Sequence, residues 1–169
     1  MVTNNAANTI YTPTGSPPEL LQPKQPSFAA YKSASTSNVT GDGTEYQVIF
    51  DTVQFDLASN YNSGTGVFTA PVTGLYQFYA GCTFNAGAVS AQNECDWILR
   101  GSAVAFRMAT FNPFNMQETF GNTAVGGAVV SMTAGDTIHC GLKIVGGTKD
   151  IGVIGSALQD TFFTGHLIC

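Results

Sequence analysis

Charged side chains are scarce in this chain of 169 residues, in which Asp, Glu, Lys and Arg together make up 10 %. Six basic residues stand against eleven acidic ones, which gives a formal net charge of −5. The basic residues are scattered, whereas nucleic-acid binding requires Lys and Arg to be clustered against phosphates. The composition therefore argues against a nucleic-acid binder. So few charges also predict that much of the surface is buried against other subunits.

Long apolar runs are absent, since no segment approaches the roughly 18 consecutive apolar residues of a membrane helix. Residues 1–18 contain neither the basic region nor the apolar region of a secretory signal peptide. We therefore expect a protein that is not inserted in a membrane and is used without export. The alternative, a signal peptide that has been removed, stays open.

The residues that carry most enzyme chemistry are also few. His139 and His166 are the two histidines, and neither a GxSxG nor a CxxC motif occurs. We therefore predict no catalytic site and no zinc site. The four cysteines allow three complete disulfide pairings. Cys82 and Cys140 alternate with other apolar residues, as buried free thiols do. We predict that both are unpaired, with a disulfide as the alternative, and that their strands are neighbours within one sheet.

What the chain has in quantity is glycine, with 19 residues, and short runs of Phe, Val, Thr and Tyr, which favour an all-β protein. The central stretch is 46–84, which predicts several short strands separated by tight turns. Pro71 ends one of these strands because it has no N–H to donate. Beyond it, every second residue from Tyr76 to Phe84 is apolar, a period of two that assigns this set to the core face.

Seven positions in and beside this stretch stand at characteristic intervals: Phe50, Asp56, Tyr61, Phe68, Gly74, Tyr76 and Phe78. Their spacing resembles that of the globular head of complement C1q, which shares its fold with tumour necrosis factor. Ala80 stands where that family usually has an aromatic residue. The resemblance implies a ten-strand antiparallel jelly-roll sandwich that assembles as a homotrimer. All seven positions except Asp56 form the predicted fold-signature core.

The resemblance extends over residues 26–168 and is weak between 85 and 126. We interpret 106–120 as a long connection, rich in aromatic residues and methionine, that packs between subunits or forms a ligand surface. The resemblance implies that the segment beginning at Pro26 forms a first strand beside the last strand of the chain. It also implies that the strands on either side of the turn 134–136 form a hairpin. Some relatives bind calcium through loop carboxylates, but Gly41-Asp42-Gly43 lacks the spaced carboxylates of a calcium loop. We predict no cofactor, and calcium stays an open alternative.

Residues 1–25 differ from the domain at 26–169, because they are rich in proline and poor in charge. Such a segment cannot bury enough surface to fold alone and tends to be extended. We predict an extended N-terminal arm that docks through Ile10, Tyr11, Leu20 and Leu21.

Two functions fit these features. The first is a non-enzymatic trimeric structural or attachment protein of a virus particle, most simply a bacteriophage fibre head or capsid decoration. In that case the arm would dock to other virion proteins and the head would meet a host-surface ligand. The alternative is a free extracellular recognition module that binds carbohydrate or protein ligands. The resemblance establishes neither, because one fold hosts many functions.

Overall fold

The computed structural model describes residues 9–11, 19–21, 25–85, 92–115 and 121–169. Within these residues the chain forms fifteen strands and one short 3₁₀ helix, Pro113–Asn115. The described residues include no helix that is both long and apolar enough to cross a membrane. The strands are β1 (Thr9–Tyr11), β2 (Glu19–Leu21), β3 (Ser27–Tyr31), β4 (Thr36–Thr40), β5 (Glu45–Val48), β6 (Thr52–Asp56), β7 (Tyr61–Asn62), β8 (Val67–Thr69), β9 (Gly74–Phe84), β10 (Glu94–Gly101), β11 (Ala105–Phe111), β12 (Asn122–Met132), β13 (Thr137–Val145), β14 (Ile151–Val153) and β15 (Phe162–Leu167).

The head is a sandwich of two antiparallel sheets. One sheet has six strands in the order β11-β10-β13-β8-β7, with β5 also paired to β13. The other has seven strands in the order β4-β14-β9-β15-β3-β6, with β12 also paired to β9. The described part of the head thus has thirteen strands where ten were predicted, because short pieces such as β7, β8 and β14 are separate strands. The all-β, C1q- and tumour-necrosis-factor-like fold is confirmed.

Strand β9 shows how the sequence specifies the sandwich. Tyr76, Phe78 and every second residue to Phe84 are buried, while Leu75 and Gln77 are exposed, as the alternation predicts. The buried side chains meet those of the six-stranded sheet across the core. Trp97 of β10 lies close to the Ala80 position, where its Nε1 donates to the Ala80 carbonyl oxygen at 3.2 Å.

The first and last strands of the head lie side by side, as the resemblance implied. Strand β15 pairs with β3 on one side, Gly165 opposite Phe28, and with β9 on the other, Gly165 opposite Phe78. A Cβ atom at Gly165 would lie 2.6 Å from the Phe78 ring and 2.7 Å from the Phe28 ring. Glycine is therefore required here because the two aromatic side chains occupy the space.

Two local predictions are wrong. Strands β12 and β13 do not form a hairpin, since β12 pairs with β9 and β13 pairs with β10 in the opposite sheet. The turn 134–136 therefore joins the two sheets at a corner. The segment after Phe106 was interpreted as a connection, yet β11 occupies Ala105–Phe111 and pairs with β10. Strand β11 lies at the edge of the six-stranded sheet and most of its residues are exposed or half-buried. Its sequence therefore lacks the alternation of apolar and polar residues by which a half-buried strand is recognised.

The arm contains the two short strands that lie outside the head. Strands β1 and β2 pair with each other, Ile10 opposite Leu20 and Tyr11 opposite Glu19, and form a sheet of their own. The backbone is extended within each strand, and the two strands run in opposite directions.

Three of the four cysteines are buried in the core and none of the four is paired in a disulfide. Cys82 and Cys140 lie in opposite sheets, so the expectation that they are neighbours within one sheet is wrong. Burial is the main cause that raises the pKa of both thiols, and it raises that of Cys95 to about 12. Reaction requires the thiolate, so these three side chains are expected to be inert in the folded protein.

We predict that alkylation of the native protein labels Cys169 alone, because it is the exposed cysteine. All four cysteines should take the label after denaturation without reductant. Mass spectrometry of the intact chain gives both counts. A denatured chain that carried fewer than four labels and was two mass units lighter per missing pair would show a disulfide and contradict the prediction.

Candidate functional site

The outward face of the seven-stranded sheet is the most unusual surface of the described head. Strands β12, β9 and β15 lie side by side, with Val129 opposite Gln77 and Thr164 opposite Tyr79. Because Tyr76 and Phe78 point into the core, the alternate residues of β9 point out. The register then carries the same outward direction to every second residue of the two neighbouring strands.

We call this surface the apolar sheet face and define it by Leu75, Gln77, Tyr79, Val125, Val129, Phe162, Thr164 and His166. Leu75, Tyr79, Val125 and Val129 are between 40 and 52 % exposed. The rings of Tyr79 and Phe162 lie 5.6 Å apart between centroids. A Cβ atom at Gly81 would be 2.6 Å from the Phe162 ring, so this glycine allows the ring to lie over strand β9.

No Asp, Glu, Lys or Arg occupies an outward position on these three described strands. His166 is the one titratable side chain of the face apart from the Tyr79 phenol. The six-stranded sheet differs, since its strands carry the ion pairs Arg107–Asp96, at 3.2 Å, and Arg100–Glu45. The charges of the sandwich are therefore unequally divided between its two sheets.

An uncharged apolar face of this extent is costly to leave in water. Each Å² of apolar surface that is removed from water contributes about 25 cal/mol, and monomeric proteins rarely expose contiguous apolar patches of this kind. The arrangement fits a surface that is covered by another protein subunit. It carries no nucleophile, acid–base pair or ligand set for a metal.

The fold-signature residues lie behind this face, in the core. Phe50, Tyr61, Phe68, Tyr76 and Phe78 are all buried. Phe68 packs against Tyr76 and Phe78 with ring centroids 5.6 Å apart, and the Tyr61 hydroxyl donates to the Phe50 carbonyl oxygen at 3.0 Å. These side chains hold the two sheets together and do not form a surface site.

Gly74 has a different role from the aromatic residues, because it begins strand β9 beside the chain end. A Cβ atom there would lie 2.5 Å from the Cys169 carbonyl oxygen. That same oxygen accepts a hydrogen bond from the Leu75 N–H at 2.8 Å. Gly74 thus permits the last residue to pair with the start of β9.

The arm residues are placed only by their backbone. Ile10 and Tyr11 lie in β1, and Leu20 and Leu21 lie in β2, so the pairing of the two strands brings the two halves of the predicted docking segment together. The side chains of these four residues lie outside the described part of the structure.

Asp42 acts as a turn former. Its Oδ1 accepts a hydrogen bond from the Thr44 N–H at 2.9 Å, and this bond holds the pKa of the carboxyl below its ordinary value. Within the ranges that the structure describes, no three or more His, Cys, Asp or Glu side chains are grouped closely enough to hold a metal ion. The calcium alternative gains no ligand set from the described residues.

The apolar sheet face was not identified from the sequence, although buried subunit contacts were expected. Leu75 and Tyr79 stood in the alternating stretch but were assigned to the face away from the core without a role. Val125 lies in the region where the resemblance is weak, and Val129 follows shortly after that region in the same strand, β12. A usable indication was present, since β9 is apolar at Leu75 and Tyr79 on the face that a solvated strand would make polar.

Comparison with known proteins gives a consistent picture. The model of the C1q domain family matches residues 29–168. The chain is 28 % identical over 119 residues to complement C1q and tumor necrosis factor-related protein 9 of Mus musculus, and 25 % identical over 141 residues to the related protein 9A of Homo sapiens. These matches cover 70 % and 81 % of this chain. The chain spans 32 % and 39 % of those relatives, about a third of their length.

Solved structures show the same fold at lower identity. The globular domain of zebrafish complement 1qA superimposes with a TM-score of 0.60 and 20 % identity, covering 86 % of this chain and 98 % of that one. The tumour necrosis factor Eiger of S. frugiperda gives a TM-score of 0.56 and 14 % identity, covering 86 % of this chain and 94 % of that one.

Proposed function

The chain belongs to the C1q-domain family, and from that membership we propose that it is a homotrimeric recognition module that binds carbohydrate or protein ligands outside the cell. Domains of this family are non-enzymatic and typically form homotrimers. The observation that supports a trimer of this chain is the apolar sheet face, which needs a partner surface. Three identical subunits bury such a face without any further component.

The relatives favour free recognition over a role in a virus particle. Those described above are C1q-related and tumour-necrosis-factor-like proteins, and nothing in their descriptions supports a bacteriophage origin. An extracellular location is part of this proposal, and a virion location stays a prediction from the arm alone. The chain spans about a third of the relatives' length. The proposal is therefore limited to the C1q-like head and to the class of ligand that this head binds.

A trimeric head offers three equal binding surfaces, so a weak single-site interaction becomes a strong one when ligands are displayed together. This supports a carbohydrate or a repeated protein epitope as the ligand class. The net charge of −5 disfavours polyanionic ligands such as nucleic acid.

We predict that the purified full-length chain sediments at micromolar concentration with three times its monomer mass of 17.7 kDa. We also predict that this trimer binds a subset of glycans or proteins on an immobilised array. A variant that stays monomeric should bind the same ligands with an apparent affinity lower by about 10²-fold or more. Analytical ultracentrifugation and titration on the array give the two measurements.

The two parts of the proposal fail separately. A mass of 17.7 kDa at every concentration would contradict the trimer. A stable trimer that binds no glycan and no protein on the array, but incorporates into a virus particle, would contradict free recognition and favour the particle component.

A further inference from the structure

We propose that His166 makes the contact between subunits sensitive to pH, so that acid weakens the trimer and, with it, the multivalent binding of ligand. The inference rests on the proposed function, since it concerns how the trimer proposed there is regulated. His166 is exposed in the single chain. It lies in strand β15, opposite Ser27 of β3 on one side and Gln77 of β9 on the other.

The first observation is the position of His166 within the apolar sheet face. Its partner Gln77 lies in the outward row of β9, between Leu75 and Tyr79. The outward neighbour on its own strand is Thr164, two residues before it. The imidazole is thus surrounded by members of the apolar sheet face, and a subunit that covers this face also covers His166.

The second observation is that the surroundings of the imidazole are uncharged. The two ion pairs of the described residues lie on the other sheet and do not include His166. On the side of β3, a cavity of about 370 Å³ lies next to the imidazole and is lined by Gln25, Ser27, Phe55 and Leu57. None of these side chains carries a charge, so a protonated imidazole has no counter-ion among them.

Two acidic groups belong to the surrounding elements, and both are engaged elsewhere. Asp56 of β6 lies opposite Phe28, in the row whose side chains point into the core. Its carboxylate accepts two backbone N–H groups where the chain enters β7, at 3.1 and 2.9 Å. The other group is the carboxyl of Cys169, three residues beyond His166, and its oxygen accepts the Leu75 N–H at 2.8 Å.

A proton on His166 therefore has different consequences in the free chain and in the trimer. In the free chain the charged imidazole is hydrated, whereas under a covering subunit it would lose that water without gaining a partner, which costs free energy. The trimer thus favours the neutral imidazole, and the free chain binds more protons. By linkage, association weakens as the pH falls through the range in which imidazoles become charged.

The expected size of the effect follows from the three copies of His166 in one trimer. Between about pH 7.5 and about pH 5.5 a model imidazole changes from mostly neutral to mostly charged, while model carboxylates stay ionised. Each copy then contributes up to about a tenfold change, so the dissociation constant of the trimer should rise by up to about a thousandfold.

Sedimentation equilibrium of the full-length protein at these two pH values, over a series of concentrations, measures the dissociation constant. His166→Gln keeps a neutral polar side chain that takes up no proton, so this variant should associate almost equally at both pH values. His166→Lys carries its charge at both pH values and should be mainly monomeric at both. Circular dichroism at both pH values reports whether the head stays folded.

His139→Gln is the matched control, because His139 is the other histidine of the chain. Ile138 and Cys140 on either side of it are buried in the core, so His139 faces outward on the six-stranded sheet, opposite Arg100. Burial is the main cause that lowers the pKa of this half-buried imidazole. A variant without it should keep the full pH dependence of the trimer.

The outcomes separate this inference from the proposed function. A trimer whose dissociation constant is equal at the two pH values would overturn the inference and leave the proposed trimer intact. Equal pH dependence in His166→Gln and in the unaltered protein would assign the effect to another group and would also overturn it, as would unfolding of the head at the lower pH. A monomer already at the higher pH would contradict the proposed trimer itself.

Discussion

Replacing Phe78 with alanine is expected to lower the free energy of unfolding by about 3–5 kcal/mol, the usual cost of emptying an aromatic core site. Phe78 is 1 % exposed, and its ring packs against Phe68 and Phe163 with centroids 5.6 and 5.8 Å away. Neither the backbone of β9 nor the aromatic cluster can close the resulting cavity without moving both sheets. Chemical denaturation at one fixed protein concentration measures the loss, because subunit association also contributes to stability.

Gln77→Ala is the matched control, one residue away on the same strand. Its side chain points out on the apolar sheet face and makes no hydrogen bond to the core, so the expected loss is less than about 1 kcal/mol. If Gln77→Ala were as damaging as Phe78→Ala, the facing of β9 would be wrong by one residue.

Val129→Asp is expected to convert the trimer into monomers and to raise the dissociation constant by at least about a thousandfold, which corresponds to about 4 kcal/mol. Val129 is 52 % exposed in the single chain and lies opposite Gln77, in the middle of the apolar sheet face. Burial of this face in a trimer would desolvate three new carboxylates, and the face offers no Lys or Arg to pair with them. Sedimentation equilibrium over a range of concentrations measures the change.

Leu158→Asp introduces the same charge at a residue that is 85 % exposed and lies on the loop before β15. This control should remain a trimer. Dissociation of both variants would show that added charge alone is responsible. Persistence of the trimer in Val129→Asp would show that the apolar sheet face is not the subunit interface, and the proposed function would lose its supporting observation.

The sequence was sufficient for the fold because its local patterns all agreed. The period of two from Tyr76 to Phe84 assigned a core face, and the residues from Phe50 to Phe78 carried the family resemblance that implied the kind of sandwich. Both kinds of pattern depend on residues close together in the chain. They could therefore be recognised in the sequence without knowing which strands are neighbours in the sheets.

The sequence failed where the answer depended on pairing between distant strands. The resemblance implied a hairpin around the turn 134–136, yet the strands on its two sides lie in opposite sheets. The strands of Cys82 and Cys140 were also expected to be neighbours in one sheet and lie in opposite sheets. A turn sequence specifies the local backbone, but the partners of the flanking strands are chosen by contacts across the whole core.

The sequence by itself determined an all-β, sparsely charged chain with a proline-rich segment before the head, and its resemblance to complement C1q indicated the kind of sandwich. Only the tertiary structure brought Leu75, Tyr79, Val129 and Phe162 onto one surface. The physical reason is that a strand's own sequence fixes which residues share a side, whereas the register with neighbouring strands decides which sides join into one face. The apolar sheet face of this protein is a product of that register.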